Sequence, residues 1–173
     1  MLSLVMTADL DGVTNLRPID TEETPFYYMF KVQCTSCRET HPNWVGVNRF
    51  ENREIHGSRG EANLVWKCKN CQRESSATIK SEPTPYAFSQ PPKPQAILIF
   101  ECRGCEFTEF KPEGEWECIA GPPASGGDED GGEVSVKNAT FSPVEFEDGE
   151  WYEYDDKNGR EISIKSVTWE IRR

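Results

Sequence analysis

Cys34-Thr-Ser-Cys37 and Cys68-Lys-Asn-Cys71 face each other across thirty intervening residues. Two residues between cysteines let one tight turn aim both thiolates at a single ion about 2.3 Å away, and a second such turn supplies the other two corners of a tetrahedron. Cys34, Cys37, Cys68 and Cys71 are therefore the expected ligands of one zinc ion per chain. Four thiolates leave no coordination position for water or substrate, so the metal is expected to crosslink the chain and not to act as a Lewis acid. Four sulfurs also suit iron, and ordinary metal availability favours zinc. The competing arrangements are two disulfides or two unrelated pairs of buried thiols. Arg38, Lys67, Lys69 and Arg73 lie beside the cysteines, where they and backbone amides would offset the two net negative charges of a tetrathiolate zinc. His41 and His56 are read as loop residues, because four cysteines already satisfy the ion.

A third pair, Cys102-Arg-Gly-Cys105, has the same spacing but no partner pair. A dithiol beside an arginine has the composition of a redox couple, although Glu106 and Glu109 would raise the thiol pKa and no helix start follows. Cys102, Cys105 and Cys118 would need a carboxylate as fourth ligand to hold a metal, since no histidine follows His56. These cysteines are read chiefly as structural thiols, with a thiol redox enzyme or metal carrier as the alternative. Methionine sulfoxide reductases carry two zinc Cys-x-x-Cys pairs on a β scaffold but need a separate catalytic cysteine. Cys118, in Trp116-Glu-Cys-Ile119, sits in an acidic and apolar setting that disfavours a thiolate. No Ser-His-Asp set and no phosphate-cradling glycine loop is present, and the expectation is a protein that is not an enzyme.

The elements that would carry these pairs read as strands. Leu2, Leu4, Met6, Ala8 and Leu10 alternate with more polar positions, and Phe26, Tyr28, Phe30 and Val32 alternate into Cys34. Leu64 and Trp66 deliver Cys68, and Ser75 to Lys80 leads away from Cys71. The gap between the pairs exceeds the roughly 15–20 residues of a compact zinc ribbon, so the two turns are expected on different hairpins of a larger sheet. Val144–Phe146, Trp151–Tyr154 and Ile162–Ile171 read as closing strands, with a bulge near Lys165-Ser166 where the apolar parity shifts. No 3.6-residue period persists, so the fold class is all-β.

Five prolines between 83 and 94 exclude a central strand or helix there. The expected organisation is an N-terminal zinc-binding β half over 1–81, a connector over 82–94, and an acidic C-terminal β half over 95–173 with a mobile loop at 121–132. The run Ala96–Phe100 entering Cys102 repeats the pattern of Phe30–Gln33 entering Cys34, as an internal duplication would.

The net charge of −11 is lopsided: residues 101–161 carry 18 acidic and 5 basic side chains, and the remainder 12 acidic and 14 basic. Such a balance counts against nucleic acid as a ligand. No run of apolar residues is long enough to span a membrane, and the start has no basic leader, which makes a cytosolic or nuclear location the expectation. A reducing compartment favours metal over disulfides for the seven cysteines.

Asn15-Leu-Arg-Pro18, the strand entering Cys34-Thr-Ser-Cys37, Gly57-Ser-Arg-Gly60-Glu-Ala, Lys67-Cys-Lys-Asn-Cys71, Phe100-Glu-Cys-Arg-Gly104 and Trp151-Tyr-Glu-Tyr-Asp155 together resemble the eukaryotic CXXC-motif-containing zinc-binding protein family. The resemblance spans nearly the whole chain. It implies a β-sandwich of two related halves, one zinc held by Cys34, Cys37, Cys68 and Cys71, no established catalytic activity, and a cytosolic protein linked to copper-chaperone proteins. The central family motif often keeps only its first cysteine, so Cys105 is a departure. A monomer that engages a protein partner is the resulting expectation.

Overall fold

The computed structural model describes residues 1–57, 59–124 and 136–173. In chain order the strands are β1 (Leu2–Asp11), β2 (Val13–Pro18), β3 (Tyr27–Cys34), β4 (Val45–Asn48), β5 (Arg53–Glu54), β6 (Glu61–Ala62), β7 (Leu64–Lys67), β8 (Glu74–Ile79), β9 (Gln95–Arg103), β10 (Cys105–Lys111), β11 (Trp116–Ala120), β12 (Thr140–Val144), β13 (Trp151–Asp155) and β14 (Arg160–Arg172). There is no helix among the described residues. The all-β class read from the alternation is therefore the fold.

A six-stranded sheet runs β13-β14-β1-β9-β8-β7, and two three-stranded sheets run β10-β3-β4 and β12-β11-β2. The large sheet draws strands from both sides of the proline-rich 82–94 segment. It meets the small sheets through aromatic rings. Phe30 on β3 stacks on Phe107 at 4.2 Å and reaches Phe100 of β9 at 5.5 Å, while Trp169 of β14 contacts Phe110 at 4.6 Å and Trp116 at 5.6 Å. The alternating β1 residues Leu4, Met6, Ala8 and Leu10 and the β3 residues Tyr28, Phe30 and Val32 are all buried in this one core.

Some positions depart from the strand pattern for identifiable reasons. Asn15-Leu-Arg-Pro18 forms the body of β2, hidden from a period-two reading by a register shift where Asn15 takes a left-handed φ of 52°. Phe107 and Phe110 are both buried on β10 because the register slips at Thr108. In β14 the register shifts between Thr168 and Lys165, and Ser166 has φ 54°, at the position where the parity of the sequence changes. Tyr86, inside the proline-rich segment, is fully buried; its hydroxyl accepts from the Ala8 amide at 3.1 Å and donates to the Lys93 carbonyl at 2.7 Å. Of the loop expected at 121–132, the first residues are tied down: the Gly121 amide donates to Gly12 at 2.9 Å and the Ala124 amide to the Asp11 carboxylate at 2.9 Å. Residues 125–132 lie outside the described residues.

Candidate metal centre

The two knuckles are built alike, atom for atom along the backbone. At the first, the Cys34 amide donates to the Glu39 carbonyl at 3.0 Å and the Arg38 amide returns to the Cys34 carbonyl at 2.9 Å. At the second, the Cys68 amide donates to the Arg73 carbonyl at 2.9 Å and the Gln72 amide returns to Cys68 at 2.9 Å. Each turn closes through a left-handed residue directly after its second cysteine, Arg38 at φ 66° and Gln72 at φ 64°. That conformation costs a non-glycine residue something, so both turns hold it against local preference.

The turns are mounted on different sheets. Cys34 ends β3 in the sheet β10-β3-β4, and Cys68 follows β7, the edge strand of the six-stranded sheet. The expected mounting on two hairpins of one larger sheet is thus corrected: the cysteines join two sheets at their shared corner. The physical reason is that β7 is short and outermost, with one hydrogen-bonded neighbour, so its end is free to lean across to β3.

All four sulfurs lie within 4.8 Å of one another, with Cys34 Sγ 3.6 Å from Cys71 Sγ and Cys37 Sγ 3.6 Å from Cys68 Sγ. A tetrahedron with metal–sulfur bonds near 2.3 Å has edges of about 3.8 Å, so the cluster has the dimensions of one zinc site. These separations are far above the ~2.05 Å of a disulfide, and all seven cysteines are free. Cys34 and Cys68 are buried, while Cys37 and Cys71 are half-exposed.

Without an ion, four sulfurs this close cannot all be charged. Cys37 is brought down to about 6 by the Asn70 side-chain amide and the Glu39 backbone amide. At Cys71 the Arg73 backbone amide pulls down, but burial and the three neighbouring thiols outweigh it and push the group up to about 11. Donors to sulfur are what a tetrathiolate ion needs around it. Asn70 is absent from the sequence-based set of flanking cations, and its one signal there is an amide side chain between two cysteines. His41 sits in the loop after the first knuckle, with Nδ1 accepting from the Asn43 amide at 3.0 Å and its ring 5.8 Å from Trp66. His56, in the loop before β6, is 2.9 Å from the Glu74 carboxylate.

The third pair is brought next to the first knuckle but not into it. Cys105 opens β10 directly opposite Cys34, and the Thr35 amide donates to Gly104 at 3.2 Å. Cys102 stays within β9 opposite Ala77. The pair borders a cleft of about 380 Å³ that Met1, Glu101, Glu106 and Arg173 also line. Hydrogen bonding from Cys102 holds Cys105 below the ordinary thiol value, and the same contact with burial pushes Cys102 up. Cys118 is buried on β11, and burial beside Glu117 pushes it up to about 12, so it stays a thiol at neutral pH. The structure does not bring Cys118 into a cluster with the other two among the described residues.

Fold and site together define an all-β sandwich in which the β10-β3-β4 sheet and the edge of the six-stranded sheet meet at a four-cysteine centre of zinc dimensions. Residues 3–126 and 128–172 match the family described as CXXC motif containing zinc binding protein, eukaryotic, and the chain belongs to that family. It is 43% identical over 171 residues to UPF0587 protein C2D10.03c of Schizosaccharomyces pombe, covering 99% of this chain and 97% of the relative. It is 32% identical over 169 residues to the CXXC motif containing zinc binding protein of Homo sapiens, covering 96% and 94%. The crystal structure of C1orf123 superimposes with a TM-score of 0.82 at 29% identity, over 99% of this chain and 98% of that one. A hypothetical protein from Plasmodium falciparum shares the fold, with a TM-score of 0.77 at 18% identity over 99% and 98%.

Proposed function

We propose that Cys34, Cys37, Cys68 and Cys71 hold one structural zinc, and that the protein is a non-enzymatic, cytosolic module that works by presenting its surface to a protein partner. One observation carries the reading: two matched turns from different sheets bring four sulfurs to tetrahedral spacing. A bound ion there would supply the positive charge that neutralises four thiolates. The chain's own contribution is to orient the sulfurs, to donate Asn70 and backbone amides toward them, and to leave no fifth position. Among partner classes, a copper-chaperone protein is the one the family resemblance implies. The protein is read as a monomer, and the acidic balance of the chain counts against nucleic acid as a ligand.

Metal counting on purified protein tests the assignment, with one zinc per chain expected. Strong chelation should then lower the thermal midpoint and loosen β7 and the end of β3. Unchanged stability with zinc shown to be gone would defeat the structural role. A second reading, a thiol enzyme or metal carrier at Cys102 and Cys105, is favoured by the lowered Cys105 thiol beside an open cleft. Rapid alkylation of that pair, or a second metal lost in Cys102→Ser, would support it over simple packing.

A further inference from the structure

A groove of about 720 Å³ lies between the Pro112–Gly114 turn and the hairpin that joins β12 to β13. Its rim is acidic: Glu113, Glu145, Glu147, Asp148 and Glu150 line it, and all are exposed. Only Glu113 has a cation partner among the described residues, Lys111 at 3.4 Å. Residues 125–135, outside the description, contain no Lys or Arg. Its wall is aromatic, formed by Phe146, Trp151 and Tyr152. Phe146 is backed by the buried Trp116 ring at 5.6 Å.

The carboxylates are held on a stiff support. Glu147 and Glu150 exchange both backbone hydrogen bonds at 3.0 Å around Asp148 (φ 52°) and Gly149 (φ 75°), the two left-handed positions of a tight hairpin turn. The β14 bulge explains how the turn is anchored: beside Ser166, the Val167 amide is released from the ladder and donates to Gly149 at 3.3 Å. A Cβ on Gly149 would stand 3.4 Å from the Val167 carbonyl, so the turn fits closely against the bulge.

These carboxylates do not converge. The four-cysteine cluster is the one group spaced to hold an ion among the described residues, so the acidic rim is not a cation site. Spread negative charge beside exposed rings suits spread positive charge. Tyr152 already attracts a cation from its own sheet, with Lys165 Nζ 5.5 Å from the ring centre. β13 is also the outermost strand of its sheet, and Tyr152 and Tyr154 on it are 59% and 51% exposed. Open edges add extended segments of other chains.

We propose that this groove, beside the free edge of β13, docks a Lys/Arg-rich extended segment of a protein partner. The inference rests on the reading of the protein as an interaction module and names the surface and the partner's chemistry. Arginine or lysine side chains would pair with the carboxylates that have no cation partner, Glu150 among them although it accepts from the Tyr152 hydroxyl at 2.9 Å, and lie over Trp151 and Tyr152, while the acidic half repels nucleic acid and acidic proteins.

The test is fluorescence anisotropy of the intact zinc-loaded protein with a labelled peptide of alternating Arg and Val. Binding should be present at low ionic strength, weaken as salt is added, and be about tenfold weaker for E145Q/E147Q/E150Q. The control is E54Q/E61Q/E82Q, which removes the same number of charges from exposed positions away from the groove and should bind as the parent does. The inference is overturned by no binding at low salt, by equal losses in both variants, which would mean net charge alone, or by preference for a single-stranded nucleic acid of equal length. If the peptide fails while a cytosolic protein is still retained in a zinc-dependent way, the groove assignment falls and the interaction reading stands. If the peptide binds as expected and no protein partner is retained, the interaction reading falls and the groove stands.

Discussion

Cys34-Thr-Ser-Cys37 and Cys102-Arg-Gly-Cys105 have the same spacing, each begins where a strand is ending, and β3, which leads into the first, lies beside β10, which leaves the second. Their turns are nevertheless different. In the first the left-handed residue follows the pair, at Arg38, which curls the chain back and points both sulfurs outward toward a second identical knuckle. In the other the left-handed residue lies inside the pair, at Gly104 (φ 82°), and the chain passes from the six-stranded sheet into the small one. One is a clasp and the other a corner. Spacing between cysteines is thus a weaker guide to a metal site than the phase of the turn that carries them.

Serine substitutions should separate the two regions most strongly. Cys34→Ser should abolish stoichiometric zinc and remove much of a total stability on the order of 5–15 kcal/mol, given that zinc sites in small domains bind with ~10 kcal/mol or more. Cys102→Ser should keep one zinc per chain and shift the thermal midpoint by only a few degrees. Metal analysis and calorimetry on the two variants check this, and similar losses in both would erase the distinction.

Next in size is the pH dependence of zinc affinity. Thiolates bind the ion and protons compete for them, so affinity must fall as pH falls. Between about 11 and about 6 the ion displaces a proton from Cys71, and below about 6 it must also displace one from Cys37. The curve of affinity against pH should therefore steepen by about tenfold per unit below the Cys37 value. Competition with a chromophoric chelator over this range measures the slope; no steepening would mean that Asn70 and the Glu39 amide do not hold the Cys37 thiol down.

The corner should be sensitive where the clasp is not. A Cβ at Gly104 would sit 3.1 Å from the Ser75 Cβ in a backbone conformation that side chains resist, so Gly104→Ala should cost about 1–3 kcal/mol with zinc content unchanged. Urea unfolding of the zinc-loaded variant reads the loss. Loss of zinc in this variant would mean that the corner supports the clasp through the Thr35–Gly104 hydrogen bond.

The smallest effect is the reverse substitution. Arg38→Gly and Gln72→Gly remove side chains from left-handed positions, and each should leave stability within about 1 kcal/mol of the parent or slightly above it. A large loss would show that the Arg38 or Gln72 side chain, and not only its backbone, holds the sulfurs.

Much of this arrangement was legible before any coordinates. The four clustered cysteines, the strands entering Cys34 and Cys68, and the bulge near Ser166 follow from spacing and parity, which are local properties. β2 and β10 were not legible, because register slips at Asn15 and Thr108 break the alternation that marks a strand. Tyr86 gave no sign of burial, since it lies among prolines outside any periodic pattern and its hydroxyl partners, Ala8 and Lys93, are set by the tertiary fold. That Cys105 pairs with Cys34, and that the two knuckles belong to different sheets, are long-range facts that spacing does not encode.

The most direct test of the clasp is titration of the metal-free protein with cobalt(II), whose visible spectrum reports both ligand type and geometry. Intense tetrahedral bands with sulfur-to-metal charge transfer should reach full height at one equivalent, and zinc should bleach them. Weak bands of a five- or six-coordinate ion, or an endpoint other than one metal per chain, would contradict a closed centre of four thiolates.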